Sequence, residues 1–330
     1  MLKSLYVYNN GQLQRHDNTF RFTDFDGGKK DFPVEQISDI YVFGEVSLNT
    51  KFINFMAANE IPIHFFNYYS FYAATLYPRE KHVAGELLVK QVVHQQNPDL
   101  RLYLAKQFVF GATDNIYRNL RYYNGRGKDL EAIMADIADL RKQIDKQIDI
   151  ASLMGVEGNI HKRYYDAWTI IINQEIDFTQ RIKRPPDNMI NTLISFVNSL
   201  VYTTVLSEIY KTQLNSTISY LHVPGTKRFS LSLDIAEIFK PLIGDRLIFA
   251  LLNKNQINEK HFDQELNYLH LSKTGSQIIL QEFDKRLKTV IKHKDLNREV
   301  SYRYLMRLES YKLIKHLIGE KMYESFRMWW

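Results

Sequence analysis

The stretch FYAATLYPREKHVAGELL, residues 71–88, divides the chain into two parts with different hydrophobic periods. Upstream, short runs rich in aromatic and β-branched residues alternate with polar turns, which is typical of strands. Downstream, apolar residues recur every three or four positions, which is typical of amphipathic helices. The polar break at residues 78–81 lies between the two patterns. We therefore predict an α+β protein, with a β domain over residues 1–77, a linker over 78–84 and a larger all-α domain over 85–330.

In the first part, residues 37–43 and 61–66 are apolar runs of strand length. Asn49, between them, is placed to cap a short helix whose apolar face includes Phe52 and Met56. In the second part no period of 20–50 residues repeats, which excludes a solenoid. Hydrophobic periodicity predicts the later helices at residues 156–174, 187–212, 231–239, 244–253, 258–269, 273–292 and 297–317.

The composition is that of a basic globular protein. Hydrophobic residues make up 45% of the chain, the formal net charge is +6 and there is no cysteine. The lack of cysteine excludes disulfides, zinc–thiolate sites and thiol nucleophiles. Residues 281–330 carry twelve Lys or Arg against seven Asp or Glu, so much of the positive charge lies there. Such a run is either a solvated helix face or a surface that meets nucleic acid.

The sequence also lacks the signatures of several other protein classes. The first residues have no apolar core of a signal peptide, and no uninterrupted run of about 18 apolar residues predicts a membrane span. We therefore expect a cytoplasmic protein. Neither a Gly-x-Ser-x-Gly elbow nor a Gly-x-x-x-x-Gly-Lys-Ser/Thr loop occurs, which disfavours a serine hydrolase and an ATPase.

One segment, residues 222–237, combines metal-ligand chemistry with a basic loop. His222 precedes Asp234 and Glu237, and these two acids share a face if they lie on a helix. Imidazole and carboxylates are ligands for a divalent metal ion, and the intervening Lys227 and Arg228 suit an anionic substrate such as a phosphodiester. A structural, hydrogen-bonded histidine remains the alternative, and the spacing alone does not choose between the two acids.

Glu157 stands between two glycines in the sequence GVEG, residues 155–158. The glycines permit a tight backbone at a helix start and the close approach of other segments. Taken alone, a glutamate in this position is more typical of compensation of the helix dipole than of a metal ligand. Its value as a ligand depends on whether the fold brings it to His222.

A basic, proline-interrupted loop at residues 181–191 enters a predicted helix. It is either a plain connector or a source of phosphate contacts. In the second case the contacts come from Arg181, Lys183 or Arg184, and Asn191 braces the helices of the site.

Three motifs, taken in order, resemble the CRISPR-associated endonuclease/integrase family, whose members are the larger universal subunit of spacer acquisition. The motifs are GVEG with Tyr164-Tyr165, then RPPD from Arg184 with Asn191 and LISF at 193–196, and then Leu221-His222 with Ser230, Asp234, Glu237 and Lys240-Pro241. The run ISDIYVFGE at residues 37–45 is similar to the β domain of that family. One departure is Val197-Asn198, where the family often has Gly-Tyr, and it affects helix packing more than chemistry.

The resemblance implies a β-sandwich-like N-terminal domain followed by a helical catalytic domain. It implies a metal-dependent DNA endonuclease and integrase that inserts short spacers into a CRISPR array by attack of a 3′-hydroxyl on phosphodiesters. It also implies a homodimer that assembles with a small ferredoxin-like CRISPR adaptation subunit on double-stranded DNA. Two rival hypotheses are a structure-selective nuclease acting on branched DNA in repair and a non-catalytic DNA-holding scaffold.

By matching position, the resemblance implies that Glu157, His222 and Glu237 are catalytic and ligate Mg²⁺ or Mn²⁺. The imidazole shifts the preference toward Mn²⁺. Asp234 is expected to be a fourth catalytic residue, in a supporting role. The residues expected to contact DNA are Arg163, Tyr165, Arg184, Lys227, Arg228, Arg303 and Arg307. The last two, together with Arg298, are expected to form a basic stripe near the C-terminus.

Overall fold

The N-terminal part folds into two four-stranded sheets. The computed structural model describes residues 2–176, 178, 181–182, 186, 188–224, 229–265 and 268–329. Its first eight strands are β1 Lys3–Val7, β2 Gly11–His16, β3 Thr19–Asp24, β4 Lys29–Pro33, β5 Ile37–Val42, β6 Val46–Leu48, β7 Ile63–Phe66 and β8 Tyr72–Leu76. One sheet has the order β1-β5-β7-β8 and the other has the order β4-β3-β2-β6.

Side chains from both sheets and from helix α1, Thr50–Ala58, share one core. Its fully buried members include Leu13, Phe20, Ile40, Phe52, Met56 and Ile63. Successive side chains of a strand point to opposite faces of the sheet, and β2 accordingly buries Gly11 and Leu13, whereas the central strand β5 is buried along its whole length. The predicted cap is confirmed, since the Asn49 side chain accepts a hydrogen bond from Phe52 N at 2.9 Å.

The rest of the chain is mainly helical, which confirms the predicted α+β class with a strand-rich N-terminal region and a larger helical part. The helices are α2 Gly85–Gln96, α3 Pro98–Asn124, α4 Glu131–Gln143, α5 Ile150–Asp166, α6 Trp168–Ile171, α7 Met189–Tyr210, α8 Ser230–Phe239, α9 Arg246–Asn253, α10 Lys273–Lys288 and α11 Tyr302–Leu317. A π-helical segment, Lys240–Asp245, joins α8 to α9 without a break.

The helical part is not all-α, and the helix predicted at residues 258–269 is wrong. Asn258 caps a single 3-10 turn, Glu259–His261, after which β9 (Phe262–Glu265) pairs antiparallel with β10 (Tyr268–Leu271). A second hairpin pairs β11 (Val290–Lys292) with β12 (Glu299–Ser301). The apolar residues in such short segments fit either period, so their backbone pairing decides the outcome.

Helix α7 is the central helix of the larger core. Among the described residues it alone has the length and apolar composition of a membrane span, and 72% of its most apolar window is buried inside the protein. It packs against α8 and α11, and Phe196 on it contacts Phe43 of the N-terminal part with ring centroids 6.0 Å apart. A buried core helix meets the same criteria as a membrane span, so the burial explains the composition.

A buried ionic network connects the N-terminal sheet to the helices. Arg303 Nη2 on α11 lies 2.7 Å from Asp39 Oδ2 on β5, and Arg303 Nε lies 2.6 Å from Glu208 Oε1 on α7. Arg307 Nη2 lies 2.6 Å from the other oxygen of Glu208. Burial by itself would raise the pKa of Glu208, but Arg303, Lys211 and Arg307 lower it to about 2.

Of the expected basic stripe, Arg303 and Arg307 are therefore paired with Asp39 and Glu208, and a contact of either arginine with DNA stays a prediction. Arg303 is only 15% exposed and its guanidinium is shared by two buried carboxylates. Arg307 is held by Glu208, and Arg298 remains exposed. Charge counting along the sequence does not reveal that acids distant in the chain neutralise these cations.

Candidate metal centre

Helices α5 and α8 bring the predicted acids Glu157 and Glu237 together. The Asp149 side chain caps α5 by accepting a hydrogen bond from Ser152 N at 2.7 Å, so Glu157 lies two turns inside the helix. The expectation of Glu157 at a helix start is therefore wrong. No heavy atom lies within 4 Å of a Cβ built on Gly155 or Gly158, so among the described residues no other segment approaches closely there.

His161 joins these two acids, one turn after Glu157 on α5. Its Nε2 lies 3.0 Å from Glu157 Oε1 and 3.8 Å from Glu237 Oε2. One ligand atom from each of the three residues lies within 4.8 Å of the others. Two carboxylates and an imidazole in this arrangement match the donor set of a divalent metal site.

The electrostatics of the cluster keep Glu237 charged. Lys240 Nζ contacts Glu237 Oε1 from one turn further along the chain. Burial by itself would raise the pKa of Glu237, but Lys240, His161 and His222 lower it to about 2. The Glu237 carboxylate is therefore ionised at neutral pH. Burial would lower the pKa of His161, but its hydrogen bond to Glu157 and the charges of Glu157 and Glu237 raise it.

Asp234 does not face this cluster; it holds the segment that carries His222. Its fully buried carboxylate accepts hydrogen bonds from the backbone N–H groups of Tyr220 at 2.6 Å, Leu221 at 3.0 Å and His222 at 3.0 Å. The same carboxylate lies 2.8 Å from His222 Nδ1. With Nδ1 bound to Asp234, the ring is oriented and Nε2 is the nitrogen left for a ligand.

His222 lies outside the three-residue cluster but within its electrostatic reach. Burial would lower the pKa of His222, but the hydrogen bond and charge of Asp234, followed by the charge of Glu237, raise it. The assignment of His222 as a ligand stays a prediction.

His161 was not predicted from the sequence as a residue of this cluster. The signal was present, because residues four apart on a helix lie on one face and the spacing from Glu157 to His161 is four. The segment that carries these residues was predicted to begin at residue 156, which made Glu157 a terminal residue and hid the pair.

Two other residues that were expected to contact DNA, Arg163 and Tyr165, have partners within the protein. Arg163 pairs with Asp136 at 2.6 Å and with Asp166 at 2.8 Å. Tyr165 packs on Trp168 with ring centroids 5.6 Å apart, beside His161. Their roles toward DNA stay predictions. Arg184, Lys227 and Arg228 lie outside the described residues.

The start of α7 is braced as the sequence suggested. Arg181 Nη2 donates a hydrogen bond to Ser195 Oγ at 2.9 Å, and its Nη1 donates to Asn191 Oδ1 at 3.1 Å. The Arg181 side chain therefore ties the preceding loop to the helix. A contact of Arg181 with phosphate stays a prediction.

Comparison with known proteins identifies the family. The model of the family described as CRISPR associated protein Cas1 matches residues 5–285. The chain belongs to this family. It is 61% identical over 330 residues to a CRISPR-associated endonuclease Cas1 from Fusobacterium nucleatum subsp. nucleatum, covering 100% of this chain and 98% of that protein. A Cas1 endonuclease from Pyrococcus horikoshii is 40% identical over 327 residues, covering 99% of each.

Solved structures agree with this assignment. A CAS1 protein from Thermotoga maritima superposes with a TM-score of 0.88 at 40% identity, covering 98% of this chain and 100% of that one. A casposase bound to an integration product has the same fold, with a TM-score of 0.89 at 20% identity over 98% of this chain and 93% of that one. The resemblance seen in the three sequence motifs is confirmed, and with it the predicted class of enzyme, a CRISPR-associated endonuclease.

Proposed function

We propose that this chain is a metal-dependent DNA integrase that inserts short duplexes into a CRISPR array. The observation that carries the proposal is the convergence of Glu157, His161 and Glu237, with their ligand atoms within 4.8 Å of one another, in a member of the Cas1 family. The resident ion is Mg²⁺ or Mn²⁺, since carboxylate-rich sites suit both and imidazole favours Mn²⁺.

The residues that would hold the ion are Glu157, Glu237 and His222. When bound, it supplies positive charge that polarises a phosphodiester and stabilises the charge developing on its oxygens. Asp234 fixes the orientation of the His222 ring through Nδ1, and Lys240 keeps Glu237 ionised. Because Glu157 and Glu237 lie on helices and Asp234 holds the loop that carries His222, the site is organised before substrate arrives.

The proposed reaction is a transesterification. The 3′-hydroxyl oxygen of the incoming strand bonds to a phosphorus of the array, and the bond from that phosphorus to the 3′ oxygen of the array strand breaks. The attacking hydroxyl gives up its proton and the departing oxygen takes one up, so the number of phosphodiester bonds is unchanged and no water is consumed. With water as the nucleophile, the same site acts as a nuclease.

We further propose the assembly and location implied by the family resemblance. The chain acts as a homodimer with the small ferredoxin-like adaptation subunit, on double-stranded DNA in the cytoplasm. The net charge of +6 supports attraction to a polyanionic partner.

The test is a joining assay with the full-length protein and its adaptation subunit. A duplex of spacer length with free 3′-hydroxyls is incubated with a plasmid that carries a repeat array, in Mg²⁺ or Mn²⁺. The wild type is expected to give covalently joined product. Glu157→Gln and Glu237→Gln are expected to lower its yield by at least about 100-fold, because each removes a carboxylate that holds the ion.

The matched control is Glu131→Gln, which changes an exposed acid in the first turn of α4. We expect this variant to give the same yield of joined product as the wild type. Cleavage of branched DNA without joining by the wild type would favour a repair nuclease. Full joining by both site variants would contradict the metal mechanism and leave a DNA-holding scaffold as the better hypothesis.

A further inference from the structure

The imidazole of His161 lies where a ligand of the same ion would lie. Octahedral ions with ligand distances of about 2.0–2.1 Å have neighbouring ligands about 2.9 Å apart and opposite ligands about 4.1 Å apart. The observed separations, 3.0 Å from His161 Nε2 to Glu157 Oε1 and 3.8 Å to Glu237 Oε2, fall within this range. Since all three ligand atoms lie within 4.8 Å of one another, one ion can contact them after the side chains close around it.

The surroundings of His161 argue against a purely structural role. It lies in the middle of α5 and its side chain is 23% exposed, so it is not an element of the buried core. In the described part of the chain, the polar groups that Nε2 faces are the carboxylates of Glu157 and Glu237. Its ring also lies near that of Tyr165, with centroids 6.0 Å apart, which limits its freedom to turn away.

We infer that His161 is a further ligand of the metal ion, in addition to Glu157, Glu237 and His222. This inference rests on the proposed metal-dependent function and deepens it. The site then offers two imidazoles and two carboxylates. Mg²⁺ binds oxygen ligands and retains its waters, whereas imidazole nitrogen strengthens binding of Mn²⁺ and later divalent ions. His161 therefore raises the preference of the site for Mn²⁺ over Mg²⁺.

Binding of the metal alone to the full-length protein tests this inference without any measurement of activity. Mn²⁺ and Mg²⁺ affinities are measured by calorimetric titration for the wild type, His161→Ala and His161→Gln. His161→Gln keeps a polar side chain of similar length, so it covers the case in which the alanine variant fails to fold. His82→Ala is the matched control, because His82 is an exposed histidine that also pairs with a glutamate, 3.0 Å from Glu60.

Both His161 variants are expected to weaken Mn²⁺ binding by at least about tenfold and Mg²⁺ binding by less, so that the ratio of affinities falls. Pulsed electron paramagnetic resonance of bound Mn²⁺ supplies a second measurement, because a coordinated imidazole couples its nitrogen to the electron spin. The wild type is expected to show two imidazole couplings, and either His161 variant only one. The remaining coupling is expected to disappear in the double variant with His222→Ala.

Unchanged Mn²⁺ affinity and unchanged nitrogen couplings in a folded His161 variant would overturn the inference. The proposed function would still stand if the wild type joins DNA and Glu237→Gln does not. Failure of the wild type to bind either metal and to join DNA would instead overturn the proposed function itself. The two failures are therefore distinguishable.

Discussion

At the level of single residues, two acids only three positions apart, Asp234 and Glu237, have different partners and therefore different roles. Asp234 and Glu237 were indistinguishable by spacing. In the structure Glu237 faces Glu157 and His161, whereas Asp234 is fully buried against three backbone N–H groups and the His222 ring. Asp234 is therefore a positioning residue, and it acts on the metal site through His222.

Asp234→Asn tests that role. The amide keeps one oxygen but places an NH₂ group against donors, so the loop that carries His222 loses hydrogen bonds. We expect Mn²⁺ affinity to fall by about 10- to 100-fold and the free energy of unfolding to fall by about 1–3 kcal/mol. Metal titration and urea unfolding measure the two effects. Asp31→Asn, at an exposed carboxylate of β4, should leave metal affinity unchanged, and a stability loss in Asp234→Asn without a loss of affinity would contradict the positioning role.

At the scale of elements, the long helices were predictable and the short segments were not. Helix α7 follows a strong apolar pattern that packing reinforces, so it was placed within two residues of its observed ends. The hairpin of β9 and β10 was mistaken for a helix because its few apolar residues fit either period. The described residues of the C-terminal segment after α11 have no regular structure, and contacts with α3, α8 and α11 hold them in place.

Gly111 on α3 is the element-scale test of that packing. A Cβ at this position would lie 2.6 Å from Ser325 Oγ, 2.8 Å from Ser325 Cβ and 3.2 Å from Phe326 O, so the C-terminal segment must shift. We expect Gly111→Ala to lower the free energy of unfolding by about 1–3 kcal/mol, because overpacking outweighs the helix propensity of alanine. Urea unfolding measures this change, and proteolysis of the C-terminal segment should become faster.

The matched control is Gly155→Ala, which places the same methyl group on α5, where no other segment of the described chain comes within 4 Å of it. Here only the helix propensity changes, so we expect a stabilisation of about 0.5–1 kcal/mol. Equal effects of the two substitutions would show that the C-terminal segment does not pack on α3 as described.

At the scale of the whole molecule, the network of Arg303 links the two parts of the chain. Asp39 comes from the N-terminal sheet, Glu208 from the central helix and Arg303 from α11. Burial would raise the pKa of Asp39, but Arg303 lowers it below its ordinary value. Because Asp39 and Glu208 have lowered pKa values, the stability they contribute is present above their ordinary pKa and is lost as pH falls.

The substitution Arg303→Met tests the contribution of this ionic network to stability. It removes the shared cation and leaves two buried carboxylates without their main partner, so we expect a loss of about 3–5 kcal/mol at pH 7. For the wild type, the contribution of Glu208 should disappear between about pH 4.5 and the folded pKa of about 2. In the variant the pKa values of both acids rise, so acid unfolding should begin at higher pH.

Urea unfolding at pH 7 measures the loss of stability, and urea unfolding at pH values from 4.5 down to about 2 measures its dependence on pH. Arg298→Met is the control, since Arg298 is exposed on the same side of the molecule and should change stability little. If Arg303→Met folded with unchanged stability but bound DNA more weakly, the structural role of Arg303 would be contradicted.

The sequence alone predicted the class of fold and the change from strands to helices near residue 78. It also indicated the family, because three motifs follow one another in the expected order. These features depend on the spacing of apolar residues and on the order of residue types along the chain, and both can be read directly from the sequence. It also identified Glu157 and Glu237, because their neighbouring residues in the motifs mark them.

The contacts between charged side chains that are distant in the sequence depend on the tertiary structure. His161 joins Glu157 and Glu237 because the fold brings these residues of α5 and α8 together, and Asp234 turns away because backbone N–H groups from residues 220–222 surround it. Arg303 is a buried link because acids far away in the sequence converge on it. The physical reason is common to the three cases: a charge is paired by whatever the fold brings within hydrogen-bonding distance, and sequence separation carries no information about that distance.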